Sequence, residues 1–411
     1  MNRRIAFLLR SLEGGGMQRN VAELARGMIL RGFEVEVLAS DTTGVMRREL
    51  PPAVRVHRLP LGSRAAGARA LAALLPDLGP GDRLRLRVGP VPSLFRTLPD
   101  LVAHLRASRP AGLVALGTQA NLAALAARRL AREPRRLLVS EHNVLSAVAR
   151  NSRRRFRRLY PRLVRAVYPE ADAIVAVSPA VARDLEEIAA LPAGRVRVIG
   201  NPVDLARIRK RAAEEPAHPW PGEREPPLLL AVGRLHWQKG FDTLLDALAR
   251  LRRRRRLRLA ILGEGPERAR LERRRRRLGL EDSVLMPGFV ANPHAWMARA
   301  SVFVLPSRSE GFGHVLVEAL ACGCPVVAAD CPGAPAQILE GGRYGTLVPV
   351  GDAAALARAV EAALDRPPER AALVARARAL AGGDPTGAYL DLLFPGDPDV
   401  RDPPQDAETA A

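Results

Sequence analysis

Residues 301–337 read SVFVLPSRSEGFGHVLVEALACGCPVVAADCPGAPAQ, and this stretch decides the fold class. It contains two short apolar runs, Val302 to Leu305 and Val326 to Ala329, which we predict to be buried strands. Between them lie a polar loop with glycines and an apolar segment of helical length, from about His314 to Ala321. Apolar strands that alternate with helices are typical of parallel sheets. The stretch therefore predicts an α/β protein.

Two acidic residues in this stretch, Glu310 and Glu318, lie eight positions apart, one in the loop and one in the helix. Both are expected at the carboxyl end of a strand, where open α/β sheets bind ligands. Carboxylates accept hydrogen bonds from vicinal hydroxyls, and the free amides of Gly311 to His314 at a helix start favour an anion such as phosphate. A nucleotide sugar carries both features. The alternative is a pair of solvated carboxylates at a helix end.

The same stretch resembles the donor site of the retaining glycosyltransferases of family 4, which have the GT-B fold. The family's E-x7-E motif matches Glu310 through Glu318, and the following ACGCPVVAADCPG continues the likeness. The resemblance implies two Rossmann-like, doubly wound domains that face a deep cleft, the first binding the acceptor and the second the sugar donor. The implied reaction transfers a hexose or N-acetylhexosamine from a nucleotide sugar to a saccharide or lipid-linked acceptor hydroxyl, with retention of configuration.

A second block, GRLHWQKGFD at 233–242, also resembles the family. It implies that Arg234 and Lys239 hold the donor diphosphate, because fixed cations stabilise a leaving group that gains negative charge. Glu310 would then hold sugar hydroxyls and Glu318 the ribose. Lys239 is one of only two lysines in an arginine-rich chain, which suggests that a compact ammonium is needed there. The alternative is an ordinary solvated loop.

The resemblance further implies that loops after two other strands line the pocket for the nucleotide base. The complete set of predicted donor-binding residues is Gly15, Gly16, Arg234, Lys239, Gly263, Phe289, Val290, Glu310, Gly311, Phe312, Gly313, His314, Val315, Leu316 and Glu318. The nucleotide sugar is a substrate, with a UDP-sugar favoured. We expect no cofactor, no metal site and no metal requirement.

The N-terminal half also has the pattern of a doubly wound sheet. The strand Ile5 to Leu9 runs into a glycine loop, Gly14 to Gly16, and then into a helix ending near Leu30. This shape suits a phosphate, although the loop is not a G-x-G-x-x-G fingerprint and a plain tight turn is the alternative. Residues 60–100 give no clear prediction. The predicted acceptor or cleft residues are Gly14, Glu141, Asn143 and Asn201.

His142 follows a predicted strand in LLVSEHN and is expected at the rim of the cleft. The resemblance, closest here to members that extend lipid-linked saccharides, implies that His142 steadies the sugar or the acceptor. It completes a predicted catalytic set with Glu310, Arg234 and Lys239. Retention by double displacement would need a carboxylate nucleophile, for which Glu141 is the candidate. We prefer a same-face mechanism, in which the leaving phosphate accepts the acceptor's proton.

The segment 150–168, RNSRRRFRRLYPRLVRAVY, combines apolar residues at helical spacing with many arginines. One interpretation is a helix that packs its apolar stripe on the sheet, interrupted at Pro161. The other is a basic helix, Arg150–Arg165, that rests on an anionic membrane surface. The two interpretations are compatible. The protein is expected in the cytoplasm. Peripheral binding to the inner face of the cytoplasmic membrane is a further hypothesis.

Composition excludes several classes of protein. The 411 residues carry a formal charge of +21, but aromatic residues are only 4% and no nucleic-acid motif is present, so we predict no nucleic-acid partner. No apolar run reaches the roughly 18 residues of a spanning helix, and the start reads as a strand, not a signal peptide. The three cysteines, Cys322, Cys324 and Cys331, are predicted to be packed thiols.

The predicted organisation is an acceptor domain at 1–205, a linker at 206–227, a donor domain at 228–385, and a C-terminal segment with a disordered tail at 386–411. Two alternatives to a transferase stay open: a non-catalytic sensor of nucleotide sugars and a nucleotide-sugar epimerase of the same fold.

Overall fold

The computed structural model describes residues 3–13, 15–74, 91–133, 135–150, 155–218, 220, 226–397 and 400. The chain forms two compact units. The first comprises Met1–Pro202 together with Asp384–Ala411, and the second comprises Val203–Gly383.

The first unit is built on a seven-stranded parallel sheet with the order β3-β2-β1-β4-β5-β6-β7. Its strands are β1 (Arg4–Ser11), β2 (Glu34–Asp41), β3 (Arg55–Arg58), β4 (Gly112–Leu116), β5 (Arg136–Glu141), β6 (Ala173–Ala176) and β7 (Val196–Val198). Its helices are α1 (Gly16–Leu30), α2 (Arg64–Ala73), α3 (Ser93–Arg96), α4 (Leu98–Ser108), α5 (Thr118–Ala131), α6 (Leu145–Arg150), α7 (Tyr160–Val167) and α8 (Pro179–Ala189).

The second unit is built on a six-stranded parallel sheet with the order β10-β9-β8-β11-β12-β13. Its strands are β8 (Leu228–Val232), β9 (Arg258–Leu262), β10 (Val284–Gly288), β11 (Val302–Leu305), β12 (Val326–Ala329) and β13 (Thr346–Val348). Its helices are α9 (Leu205–Ala212), α10 (Phe241–Leu251), α11 (Arg268–Arg277), α12 (Pro293–Met297), α13 (His314–Ala321), α14 (Pro335–Ile338), α15 (Ala353–Asp365) and α16 (Arg370–Ala381). The last helix, α17 (Pro385–Leu393), belongs to the first unit.

The strands of the second sheet are apolar on both faces because each face carries its own core. Alternate residues of β11 go to opposite sides: Val302 and Val304 pack in one cluster, and Phe303 and Leu305 pack in the other. This two-sided burial produces the continuous apolar runs seen in the sequence. The prediction of two Rossmann-like parallel sheets is confirmed.

The strand order of the second sheet indicates where a ligand would bind. In the second unit the order reverses between β8 and β11, which lie side by side. In open α/β sheets, ligands bind beyond the carboxyl ends of the strands at such a switch point. The loops at this point follow Val232 and Leu305, and they contain the two sequence blocks singled out above.

The predicted linker at 206–227 is wrong for its first part, which is the helix α9. Asp204 caps this helix, since its carboxylate accepts a hydrogen bond from the Arg207 amide at 2.8 Å. Ile208 is buried in the core of the second unit. Residues 219 and 221–225 of the predicted linker lie outside the described residues.

The C-terminal segment predicted from residue 386 contains most of α17, which packs into the core of the first unit. Tyr389, Leu390 and Leu393 are buried there, and Arg31 bonds to Asp384 at 2.8 Å just before the helix. An apolar helix that covers a sheet face gains about 1.5–3 kcal/mol for each buried large side chain. The predicted disorder of residues 398, 399 and 401–411 falls outside the described residues.

Candidate functional site

The centre of the site in the second unit is a contact between Lys239 and Glu310. Lys239 Nζ lies 2.6 Å from Glu310 Oε1, and the same oxygen accepts a hydrogen bond from Ser307 Oγ at 2.6 Å. Glu310 is only 6% exposed, so these two donors replace hydrogen bonds that water would otherwise make. In the described part of the chain, no protein group bonds to the other oxygen, Oε2. The predicted diphosphate-binding lysine and the predicted sugar-binding acid are thus neighbours at this edge, and one carboxylate oxygen remains available to a ligand hydroxyl.

The loops that carry Lys239 and Glu310 are cross-linked by groups that the sequence analysis missed. Gln238 donates its side-chain amide to the Ser309 carbonyl at 2.8 Å, and Arg308 N donates to the Gln238 carbonyl at 2.7 Å. The Arg308 guanidinium bonds to the Trp237 carbonyl at 2.7 Å and lies 4.9 Å from the centre of the Trp237 ring. These contacts fix the distance between the ammonium and the carboxylate before any ligand arrives.

Arg234 lies in the loop after β8 on the same edge. Its side chain is exposed and makes no hydrogen bond or ion pair to any described residue. An unpaired guanidinium beside a buried ion pair can bind an anion without first breaking a protein contact. The structure thus leaves Arg234 available for the role that was predicted for it.

The helix α13 starts at His314, directly after the loop Gly311–Gly313. Glu318 is on its second turn and is 3% exposed. His294 on α12 lies next to it, with Nε2 3.7 Å from Glu318 Oε2. The sequence did not indicate this neighbour. The rings of Phe312 and His314 meet edge to face at 5.2 Å, and Val315 and Leu316 continue the helix.

The residues predicted for the base pocket follow β9 and β10. Gly263 takes φ +140, and a Cβ there would lie 2.0 Å from the Gly233 carbonyl oxygen, so only glycine allows these two loops to approach. Phe289 is 57% exposed and Val290 is half-buried. An exposed aromatic ring at the binding edge is suited to stacking on a base.

The predicted residues of the first unit lie at the carboxyl edge of its sheet. Gly15 caps α1 and Gly16 is its first residue, while Gly14 lies outside the described residues. His142 Nε2 is 3.0 Å from Ser140 Oγ, and Ser140 Oγ is 2.8 Å from the Tyr389 hydroxyl. The C-terminal helix therefore helps to hold the strand end next to His142. Nothing in the sequence pattern indicated this contact.

The neighbours of His142 differ in exposure. Asn143 is half-buried, whereas Asn201 is only 6% exposed and its Oδ1 has no hydrogen-bond partner among the described residues.

Glu141 was predicted at the rim of the acceptor site, but its side chain is fully buried. Its Oε2 accepts hydrogen bonds from Thr118 Oγ1 at 2.9 Å and from the Tyr168 hydroxyl at 3.1 Å, and its Oε1 accepts one from the His142 amide at 3.0 Å. These donors turn the carboxyl inward. Burial raises the pKa of Glu141 to about 7, although the hydrogen bonds oppose the shift.

The raised pKa of Glu141 predicts a stability change with pH. At pH values between the ordinary pKa of 4.5 and about 7, the Glu141 carboxyl is deprotonated in the unfolded chain and protonated in the folded chain. Folding in this pH range therefore takes up a proton. The free energy of unfolding contributed by Glu141 therefore falls as the pH rises through this window, by up to about 3 kcal/mol.

We expect Glu141→Gln to remove this slope. Chemical denaturation of wild type and variant at pH 5 and pH 8 measures it, with Glu187→Gln, an exposed position on α8, as the matched control. The variant should gain stability relative to wild type as the pH rises, while the control should follow wild type. An equal change in the free energy of unfolding between pH 5 and pH 8 in Glu141→Gln and wild type would contradict the raised pKa of Glu141.

In the basic segment, a 3-10 helix (Arg155–Leu159) runs directly into α7, which starts one residue before Pro161. The helix α6 ends at Arg150, residues 151–154 lie outside the described residues, and α7 begins at Tyr160 with Pro161 in its first turn. Tyr160, Leu163, Val164 and Val167 are buried, so the apolar face of α7 packs inward. Arg158, Arg162 and Arg165 are exposed.

The three cysteines are buried, as expected. Burial raises the pKa of Cys322, Cys324 and Cys331 to about 12, so each stays a thiol at neutral pH. Among the described residues, none of the helices has the length and apolar content needed to span a bilayer.

Comparison with known families gives two matches. A family model described as Glycosyltransferase Family 4 matches residues 14–207, and one described as Glycosyl transferases group 1 matches residues 211–380. Each match therefore falls largely within one of the two units.

Two relatives indicate the range of similar proteins. D-inositol 3-phosphate glycosyltransferase 2 of Catenulispora acidiphila is 33% identical in an alignment of 389 positions, which covers 86% of this chain and 83% of that protein. The N-acetylgalactosamine-N,N'-diacetylbacillosaminyl-diphospho-undecaprenol 4-alpha-N-acetylgalactosaminyltransferase of Campylobacter jejuni is 35% identical over 188 residues. That match covers 46% of this chain and 49% of the relative, about half its length.

Solved structures share the fold. Anabaena HepE, in complex with UDP-glucose, matches with a TM-score of 0.73 at 22% identity, covering 95% of this chain and 98% of that one. WaaG, a glycosyltransferase involved in lipopolysaccharide biosynthesis, matches with a TM-score of 0.71 at 20% identity, covering 95% and 100% of the two chains.

Proposed function

Because the chain belongs to glycosyltransferase family 4, we propose that it transfers a hexose or N-acetylhexosamine from a nucleotide sugar to a saccharide or lipid-linked acceptor hydroxyl. The transfer retains the anomeric configuration. The observation that carries the proposal is the Lys239–Glu310 contact of 2.6 Å, with the exposed Arg234 in the same loop as Lys239. An epimerase or a non-catalytic sensor is not favoured, since the matched families are transferases.

In the proposed reaction, Lys239 and Arg234 hold the donor diphosphate. As the bond between the anomeric carbon and the phosphate oxygen breaks, the diphosphate gains negative charge. The two cations would stabilise that charge. The diphosphate would take over Lys239 Nζ from Glu310, and Glu310 would then accept hydrogen bonds from sugar hydroxyls. Phe289 would stack on the base.

The environment of Glu141 supports the same-face mechanism over double displacement. A carboxylate nucleophile must reach the anomeric carbon, but the Glu141 carboxyl is fully buried and accepts hydrogen bonds from Thr118, Tyr168 and the His142 amide. We propose that Glu141 positions the chain at His142 instead. The acceptor's proton would pass to the leaving phosphate, so the chain need not supply a base.

The donor and acceptor classes are proposed from similar proteins. The HepE structure contains UDP-glucose, which supports a UDP-sugar as donor here. The name of the Campylobacter relative includes a diphospho-undecaprenol group, which supports a lipid-linked acceptor. Such an acceptor would place the exposed arginines of α7 near an anionic surface, each worth roughly 1 kcal/mol. We further propose that transfer needs no metal and takes place in the cytoplasm.

A panel of UDP-, GDP- and ADP-sugars tests the proposal. Thermal unfolding should show one donor that stabilises the chain by about 2.7 kcal/mol when present at 100 times its Kd. The same donor, incubated without acceptor and with EDTA present, should slowly release free sugar, which NMR detects with its anomeric configuration. Tight binding without any release would favour the sensor. Stabilisation by none of the donors would contradict the proposal.

A further inference from the structure

Three side chains with metal-binding chemistry meet in the first unit, away from the proposed reaction. Glu36 lies on β2, His57 on β3 and His104 on α4. Glu36 pairs in register with Arg55, and Leu38 with His57, so Glu36 and His57 lie diagonally on one face of the sheet. The helix α4 covers that face and brings His104 to the other side of the carboxylate.

The distances match those of ligands around one ion. His104 Nε2 is 3.2 Å from Glu36 Oε1, and His57 Nε2 is 3.5 Å from Glu36 Oε2. The ligand atoms of all three residues lie within 4.8 Å of one another. In a tetrahedral zinc site with ligands at 2.0–2.2 Å, neighbouring ligand atoms are roughly 3.3–3.6 Å apart.

The orientation of His104 gives a second, independent indication. Its Nε2 is buried and close to a carboxylate oxygen, yet it has no hydrogen-bond partner of acceptable geometry among the described residues. A ring nitrogen that only paired with the carboxylate would direct its N–H at the oxygen. Ligands of a shared ion instead direct their lone pairs at a point between them.

Neighbouring groups can orient the Glu36 carboxylate. Ser108 Oγ is 3.4 Å from Glu36 Oε1. Arg4 bonds to Glu34 at 3.2 Å and to the Ser108 carbonyl at 3.3 Å, so its positive charge is partly compensated.

We propose that Glu36, His57 and His104 bind one zinc ion, with water at the fourth position. Two imidazoles and a carboxylate are ligands that zinc accepts, and an oxygen-preferring cation such as Mg²⁺ would not select them. His57, 41% exposed, lies at the entry of the site, whereas the Glu36 side chain is 5% exposed.

The position of this site indicates a structural role. Glu36 is the third residue of β2, five residues before the strand ends at Asp41, or about 16 Å from the carboxyl edge where ligands bind. The ion would join β2, β3 and α4, which are far apart along the chain. A structural ion here leaves unchanged the expectation that sugar transfer itself needs no metal. The sequence did not indicate this cluster, because its three members do not form a local motif.

Zinc titration of the tag-free full chain by calorimetry tests the proposal, after treatment with EDTA and dialysis. We expect one zinc per chain at micromolar affinity or tighter, and a rise in the thermal unfolding midpoint on binding. His57→Ala, His104→Ala and Glu36→Gln should each weaken zinc binding at least tenfold. His218→Ala, a histidine of the second unit, is the matched control and should bind as wild type does.

Cobalt(II) gives a readout independent of stability. The cobalt-loaded chain should show the intense visible bands of a tetrahedral ion with nitrogen and oxygen ligands, and His57→Ala should abolish them. A sulfur-to-cobalt charge-transfer band would assign the ion to the cysteines and overturn the proposal. Zinc binding no tighter than millimolar, or unchanged in both histidine variants, would also overturn it.

Discussion

Replacing Lys239 by methionine should lower the rate of sugar release or transfer by about 10²–10³-fold, equivalent to roughly 3–4 kcal/mol of transition-state stabilisation. The change removes the ammonium that lies 2.6 Å from Glu310 and would meet the leaving diphosphate. Most of the loss should appear in kcat, because the cation matters most when the phosphate charge is greatest. Steady-state kinetics with the donor identified in the panel measures it.

The only other lysine gives a matched control. Lys210 is exposed on α9, and Lys210→Met should leave the rate within about twofold of wild type. Lys239→Met also leaves the buried Glu310 without its cation, so some stability is lost. The double variant Lys239→Met/Glu310→Gln removes that unpaired charge, and should recover stability while staying slow. Full activity in Lys239→Met would contradict the assignment of Lys239.

Replacing Gly240 by alanine should destabilise the second unit by about 3–4 kcal/mol and weaken donor binding. Gly240 ends the turn that carries Lys239 and takes φ +65. A Cβ there would lie 2.0 Å from the Pro306 carbonyl oxygen, so the β8 and β11 loops would have to separate. The cost combines overpacking with a left-handed backbone. Denaturation and donor titration measure the two effects.

Gly341 is a control position that lacks the steric clash expected at Gly240. It has the same φ of +65, but a Cβ there would meet nothing within 4 Å. Gly341→Ala should therefore cost only about 1–2 kcal/mol, from the backbone alone, and should bind the donor normally. Equal losses in the two variants would mean that the approach of the two loops does not matter.

The features that the sequence predicted well are local or repetitive. The parallel sheets follow from apolar runs such as 302–305, because burial on both faces leaves no polar position in the strand. The loops that carry Lys239 and Glu310 follow strand ends, and a resemblance between motifs singled out both residues before their contact was known. Both residues lie within a few positions of a recognisable strand.

The features that the sequence did not predict depend on contacts between residues that are distant along the chain. The return of α17 to the first unit, through Tyr389 and Ser140, joins residues 249 positions apart. Burial of Glu141 depends on Thr118 and Tyr168, which come from other elements. A strand-end glutamate has the same local pattern whether it faces a ligand or the interior. The zinc cluster was missed for the same reason.

The structure of the chain with the nucleoside diphosphate product of its preferred donor tests the central claim most directly. The account predicts that Lys239 Nζ and the Arg234 guanidinium each lie about 2.7–2.9 Å from oxygens of the diphosphate. Glu310, released from Lys239, should face the position of the departed sugar. A diphosphate bound elsewhere, with Lys239 still 2.6 Å from Glu310, would contradict the account.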